Sequence, residues 1–113
     1  MEARAVRKNI RSSPRKMRLV IDLIRGKNAH EALSILRFDT HMASRDAEQT
    51  LRSAIANLTQ KDPDGRLDPE AFFVKEVFVN NGPMVKRILP APMGRAYRVR
   101  KRSNHLTIIV GSR

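Results

Sequence analysis

The sequence has no cysteine and no tryptophan, and only one tyrosine and four phenylalanines in 113 residues. Without cysteine there is no disulfide framework, no Cys-ligated zinc and no thiol nucleophile, and a reducing compartment fits. With so few aromatics the core must be mainly aliphatic, drawn from the 41% of residues that are hydrophobic. No apolar run approaches the roughly 20 residues of a membrane span. The longest, Leu106 to Val110 with Thr107 inside it, reads as a strand. Met1-Glu2-Ala3-Arg4 lacks the apolar stretch of a signal peptide, so a cytoplasmic protein with no membrane partner is expected. The last scarcity is acid, since no Asp or Glu follows Glu76.

What the chain has instead is positive charge, a net +12 with an isoelectric point near 11.4. Residues 1–30 hold nine Lys/Arg and two acids, a net +7. Residues 31–81 hold six Lys/Arg and nine acids, a net −3. Residues 82–113 hold eight Lys/Arg and no acid, a net +8. Two basic ends around a near-neutral middle predict a defined polyanion-binding face rather than a uniformly charged surface. The length suits one domain, residues 1–113.

Along the chain, Ala3 to Ile10 carries Val6 and Ile10 among Arg4, Arg7 and Lys8, an edge-strand pattern. Ser13-Pro14 then opens a helix, with Ser13 as cap and Pro14 at the first helical position. Met17, Val20, Ile21 and Ile24 form its apolar stripe, which Leu19 and Leu23 widen, and Gly26 is the expected left-handed terminator. Arg15, Arg18, Asp22 and Arg25 share its polar face, where Asp22 can bridge Arg18 and Arg25 and an excess of arginine is left over. Asn28 caps a short second helix with Glu31 at the capping-box position, and Ala32, Leu33, Ile35 and Leu36 supply its apolar side. Asp39 or Thr40 caps a third helix running to about Gln60, with the stripe Ala43, Ala47, Leu51, Ala54, Ile55 and Leu58. Its polar side carries Arg45, Asp46, Glu48 and Arg52. The loop 61–65 is rich in turn residues. From Phe72 to Asn80, alternation puts Phe72, Val74 and Phe78 on one face and Phe73, Val77 and Val79 on the other, which predicts a central strand covered on both sides.

Residues 85–104 read VKRILPAPMGRAYRVRKRSN, two arms around a Pro/Gly bend. At roughly 3.3 Å per residue such a hairpin reaches about 25–30 Å. Arg98, Arg100 and Arg102 alternate with Tyr97, Val99 and Lys101, and neither face is apolar enough to bury in a protein core. An isolated ribbon is marginal in water, and these unneutralised cations oppose its folding unless an anion lies alongside. Arginine suits that anion, because its planar fork matches phosphate.

Catalytic chemistry is not indicated. His30, His41 and His105 are far apart, and no metal-ligand spacing or phosphate-cradling glycine motif occurs. Ser12, Ser13 and Ser103 read as cap, turn or phosphate contacts, and His105 as a hydrogen-bonded structural residue or RNA contact. Asp62, Asp64 and Asp68 lack the pattern of a calcium loop. Neither a catalytic residue nor a cofactor is expected.

Ser12-Ser13-Pro14-Arg15-Lys16-Met17-Arg18-Leu19-Val20, continuing into Asp22-Leu23-Ile24-Arg25-Gly26-Lys27, resembles the opening helix of the large-subunit ribosomal protein twenty-two family in its bacterial form. Glu31-Ala32-Leu33, Ile35-Leu36, Leu51 and Ser53-Ala54-Ile55-Ala56-Asn57 resemble its second and third helices. Phe73 to Asn80 with Gly82-Pro83 looks like its central strand. Lys86-Arg87, Pro90, Gly94-Arg95-Ala96, Lys101-Arg102 and His105 match its long hairpin and return strand. The resemblance implies an α+β fold, three helices packed on a three-stranded antiparallel sheet with a long protruding β-hairpin at about 85–104. It also implies a structural constituent of the large ribosomal subunit. Such a protein binds large-subunit rRNA of the 23S type beside neighbouring ribosomal proteins and aids assembly, and its hairpin tip lines the nascent-peptide exit tunnel. In that family, hairpin changes are associated with macrolide resistance.

On this reading the candidate RNA-binding residues are Arg7, Lys8, Arg11, Arg15, Lys16, Arg18, Lys27, Lys86, Arg87, Arg95, Arg98, Arg100, Lys101 and Arg102. The candidate tunnel-lining tip is Pro90, Ala91, Pro92, Met93 and Gly94. Two basic residues of the family tip are replaced here by Ala91 and Met93, which implies a less positive, more apolar wall. The competing readings are a DNA-binding helix-turn-helix, for which residues 28–36 are short and nearly neutral, and a small hydrolase, for which no nucleophile–base pair exists.

Overall fold

The computed structural model describes residues 1–62, 65–90, 92–94 and 96–112. The elements run β1 (Glu2–Ile10), α1 (Pro14–Ile21), α2 (Ala29–Phe38), α3 (Ala43–Gln60), β2 (Phe72–Asn81), β3 (Val85–Pro90), β4 (Ala96–Lys101) and β5 (Asn104–Ser112). Three strands form an antiparallel sheet in the order β1-β5-β2, and β3 and β4 form a separate two-stranded ribbon. The three helices pack on the three-stranded sheet, making an α+β fold. The radius of gyration is 17.4 Å, against about 13 Å for a compact chain of this length, and the longest dimension is 67 Å. A ribbon that pairs with no strand of the main sheet is the natural source of that elongation.

The core is aliphatic, as the composition requires. Met17, Val20, Ile21 and Ile24 from the first stripe are buried, as are Ala43, Ala47, Leu51, Ala54 and Leu58 from the third. On β1, Ala3 and Ala5 face the helices and Arg4 and Val6 face away. The register then shifts between Arg7 and Ile10. Asn9 absorbs the shift with φ 59, a left-handed conformation that Asn tolerates better than most residues. Its amide is satisfied by the His105 Nδ1 at 3.0 Å, which is the structural role expected of that histidine. The shift brings Ile10 back to the core side.

The start of α1 is as predicted, with Pro14 at its first turn and the Ser13 Oγ accepting the Lys16 amide at 3.2 Å. A cap of this kind is worth about 1 kcal/mol. Its end is not. Regular helix stops at Ile21, and tighter turns carry the chain to Gly26, whose φ of 75 is the left-handed value expected. The cause is the neighbouring strand. Arg25 donates to the Val77 carbonyl at 2.7 Å and the Lys27 carbonyl accepts the Val74 amide at 2.8 Å, drawing these turns onto β2. Leu19 and Leu23 do not widen the buried stripe, being 60% and 42% exposed.

The expected central strand is an edge. β5 lies in the middle, and among the described residues β2 pairs with no second strand, its outer side meeting the turn before α2 through an isolated bridge between Asn28 and Phe73. Nor is β2 buried on both faces. A bulge at Lys75 places two residues where one would fit, since Val74 pairs with Val110 and Glu76 already with Ile109. The extra residue resets the alternation, so that Phe72, Val74, Val77 and Val79 share the core side and Phe78 faces out. The outer edge of β2 is closed by side chains, because Arg25 and Arg18 donate to the carbonyls of Val77 and Val79. The polar face of α1 is therefore more than an intrahelical ladder. Asp22 meets Arg25 at 3.4 Å, while Arg18 reaches across to the sheet.

Asn28 caps α2 as expected, accepting the His30 amide at 2.9 Å. α3 begins at Ala43 rather than at Asp39 or Thr40, and its N-cap, Met42, makes no side-chain bond. Asp39 instead holds the preceding turn, accepting from the His41 amide at 3.3 Å and meeting its ring Nδ1 at 2.7 Å. Burial pushes the Asp39 carboxyl up, but the hydrogen bonds from His41 outweigh it and leave the group below its ordinary value. The contact therefore stabilises the fold above the usual carboxylate range and is lost as pH falls through the lowered value.

Candidate nucleic-acid interface

The interface starts from one buried side chain that no sequence pattern singled out. Asn104 opens β5 and is fully buried. Its Nδ2 donates to the carbonyl and the Oγ of Ser12, both at 2.8 Å. Asn81, the last residue of β2, pairs with Asn104 across the sheet. The entry to α1, the exit of β2 and the start of β5 are thus tied together where the ribbon leaves the sheet.

The next contacts set how the ribbon leaves. The Gly82 amide donates to the Ser103 carbonyl at 3.0 Å, and the Ser103 Oγ donates to the Pro83 carbonyl at 2.6 Å. A Cβ on Gly82 would stand 2.5 Å from the Ser103 Oγ and 3.1 Å from its carbonyl carbon, so only glycine allows this approach. Gly82→Ala is expected to destabilise the chain by roughly 1–3 kcal/mol, the usual cost of forced overpacking, read as a lower denaturant midpoint. An unchanged midpoint would mean that the root opens freely.

This root brings together cations that are distant in sequence. A cleft of about 490 Å³ is lined by Arg15 and Arg18 of α1 and by Arg100 and Arg102 of the returning arm, with Pro14, Asn81, Gly82, Met84 and Ser103. A second cleft of similar size holds Arg11, Lys101 and Arg102 with Asn9, Pro83, Val85 and Ser103. No acidic side chain among the described residues lines either one. Among the described residues, Lys8, Arg11, Arg15, Lys16, Lys86, Arg100, Lys101 and Arg102 are exposed and none enters a salt bridge. Like charges gathered at one root repel over a Debye length of roughly 8 Å, and a bound polyanion relieves that repulsion.

Not every predicted cation stands there. Arg7 turns to α3, pairing with Asp46 at 3.1 Å and bonding Gln49. Arg18 lines the first cleft while donating to Val79 at 3.3 Å, so part of its fork is already engaged. Lys16 lines a separate recess with Arg11, Ser12, Ser13, Leu19, His41 and Met42. Lys27 is exposed at the turn before α2. In the ribbon, Lys86 pairs with Arg100, Arg87 with Val99 and Ile88 with Arg98. The side chains of Arg87 and Arg98 lie outside what is described, as does Arg95 altogether.

At the tip, Met93 has φ 64 and is 95% exposed, and Gly94 follows with φ 69. Ala91 lies outside the described residues, as do the side chains of Pro90 and Pro92. Ser13 is a cap and Ser103 a turn contact, as read from the sequence, while Ser12 accepts from Asn104. No helix among the described residues is long and apolar enough to cross a membrane, and none of these residues form a metal-holding group of acids and histidines. α2, which a helix-turn-helix would need in a DNA groove, packs on α3 and β2.

The model of a family described as Ribosomal protein L22p/L17e matches residues 5–111. Large ribosomal subunit protein uL22 of Chlorobium phaeobacteroides (strain BS1) is 59% identical over 110 residues, covering 97% of this chain and 94% of that one. The protein of the same name from Chlorobaculum tepidum is 56% identical over 110 residues, 97% of this chain and 92% of that one. That from Flavobacterium johnsoniae is 55% identical over 104 residues, 92% of this chain and 76% of that one.

Proposed function

The chain belongs to the ribosomal protein L22p/L17e family, and from that premise we propose that it is a structural constituent of the large ribosomal subunit that binds large-subunit rRNA of the 23S type, aids subunit assembly, and lines the nascent-peptide exit tunnel with its hairpin tip. The family's proteins are structural parts of the ribosome and not enzymes. The convergence of Arg11, Arg15, Arg18, Arg100, Lys101 and Arg102 at the ribbon's root, with no acid among them, carries the reading.

The mechanism is binding without bond-making. Cations on the root and arms, from Lys8 and Lys16 through Lys86 and Arg100, neutralise phosphates, and RNA helices and junctions are recognised by shape and backbone. The neighbouring ribosomal proteins and the nascent peptide are the other partners, at the ribosome in the cytoplasm. The tip is the least basic part of the hairpin. Met93, fully presented to its surroundings, supports a wall that is apolar at this point rather than a grip on phosphate.

Titrating the purified chain against large-subunit rRNA over a range of salt tests this. With about eight phosphates neutralised, log affinity should fall with log salt at a slope of roughly −6 to −7. The chain should also co-sediment with large subunits in moderate salt. A salt-independent affinity, or a chain found only with DNA or free in solution, would overturn the proposal.

A further inference from the structure

The helices cover one face of the three-stranded sheet and leave the other open. Register sets Val6, Thr107 and Phe78 in one row across β1, β5 and β2, and Arg4, Ile109 and Glu76 in the next. In the third row Phe73 pairs with Gly111, and its ring lies 3.4 Å from where a Gly111 Cβ would stand. The centre of this face is apolar. Val6 is 44% and Phe78 40% exposed, and Thr107, which pairs with both, is 6% exposed. An apolar patch rimmed by charge marks a docking surface.

Two observations narrow the occupant. The first is charge. Lys75 meets Glu2 at 2.6 Å, and Arg4 and Glu76 stand on either side of Ile109, so these four charges cancel on a chain that is +12 overall. A phosphate backbone would meet two carboxylates here, and nothing like the cluster of unpaired cations at the ribbon's root. The second is that side chains already occupy part of both sheet edges. Asn57 and Lys61 donate to the Arg4 and Glu2 carbonyls on β1, and Arg25 and Arg18 close β2. Strand addition is hindered at these carbonyls, whereas the face itself is open to side chains.

We propose that this open sheet face docks a neighbouring protein of the large subunit, whose apolar side chains cover Val6, Phe78 and Ile109 and whose flanking acid and base meet Arg4 and Glu76. The inference rests on the ribosomal reading above and adds to it the surface that meets protein rather than RNA.

Large subunits assembled with the full chain carrying Phe78→p-benzoylphenylalanine test it by irradiation. The expected result is a covalent adduct with one ribosomal protein, identified by its peptides. Adding Val6→Asp to the same chain should lower the adduct yield at least threefold. An adduct with rRNA, an adduct with a second copy of the chain, or no adduct from subunits that contain the chain overturns this inference and leaves the ribosomal reading standing. A chain that never enters subunits overturns both.

Discussion

Replacing Arg15, Arg100, Lys101 and Arg102 together by glutamine is expected to weaken binding to large-subunit rRNA by roughly two to three orders of magnitude at about 0.15 M salt, and to make the log–log salt slope less negative by about three. The four side chains line the two clefts at the root, are exposed, and make no salt bridge. Each phosphate contact releases about 0.7–0.9 of a counterion, so four lost contacts act multiplicatively on affinity. Arg18 is left in place because its bond to Val79 closes the sheet edge, and removing it would mix stability with binding. Arg37, Arg45 and Arg52 changed to glutamine form the control, lying on α2 and α3 away from the root. That set should leave the slope nearly unchanged. Equal losses from the two sets would mean that total charge, and not its convergence at the root, governs binding.

The largest effect on stability is expected from one of two phenylalanines on the same strand. Phe72 is 2% exposed and Phe78 40%. Phe72→Ala should cost about 3–5 kcal/mol, as for a large side chain removed from a packed core. That is a large share of the roughly 5–15 kcal/mol that holds a domain together. Phe78→Ala should cost the free protein about 1 kcal/mol or less, since it empties no cavity. Urea unfolding of both variants compares them directly. Equal costs would contradict the bulge at Lys75 and return both side chains to one buried face.

That pair shows where sequence reading stops. The even spacing of Phe72, Val74 and Phe78 is sound evidence for a strand and for a shared face, until one extra residue enters the ladder. A bulge leaves no mark in hydropathy, because it arises from how β2 meets β5. The same holds for strand order. A run apolar on both faces from Phe72 to Val79 looks central, yet the shorter apolar run 106–110 takes the middle. The edge of β2 is hidden by Arg18 and Arg25, whose targets lie more than fifty residues away. Leu19 and Leu23 illustrate the converse. They satisfy helical periodicity but fall outside the packed face.

Features governed by local chemistry were readable from the chain. The Ser13-Pro14 start, the left-handed Gly26, the Asn28 cap, the aliphatic stripe of α3 and the two arms around a Pro/Gly bend all depend on a few adjacent residues. The basic end beyond residue 82 was equally plain as a count of charge. Its arrangement was not. Arg15, Arg100 and Arg102 share one cleft, and Arg11, Lys101 and Arg102 another, because buried Asn104 ties the entry of α1 to the start of β5, and because Gly82 lets the arms close on Ser103. Propensity, capping and charge act over a few bonds and survive in any listing of residues. Which faces are buried, which strand is an edge and which cations share a cleft depend on contacts between distant segments, and those exist only once the chain has folded.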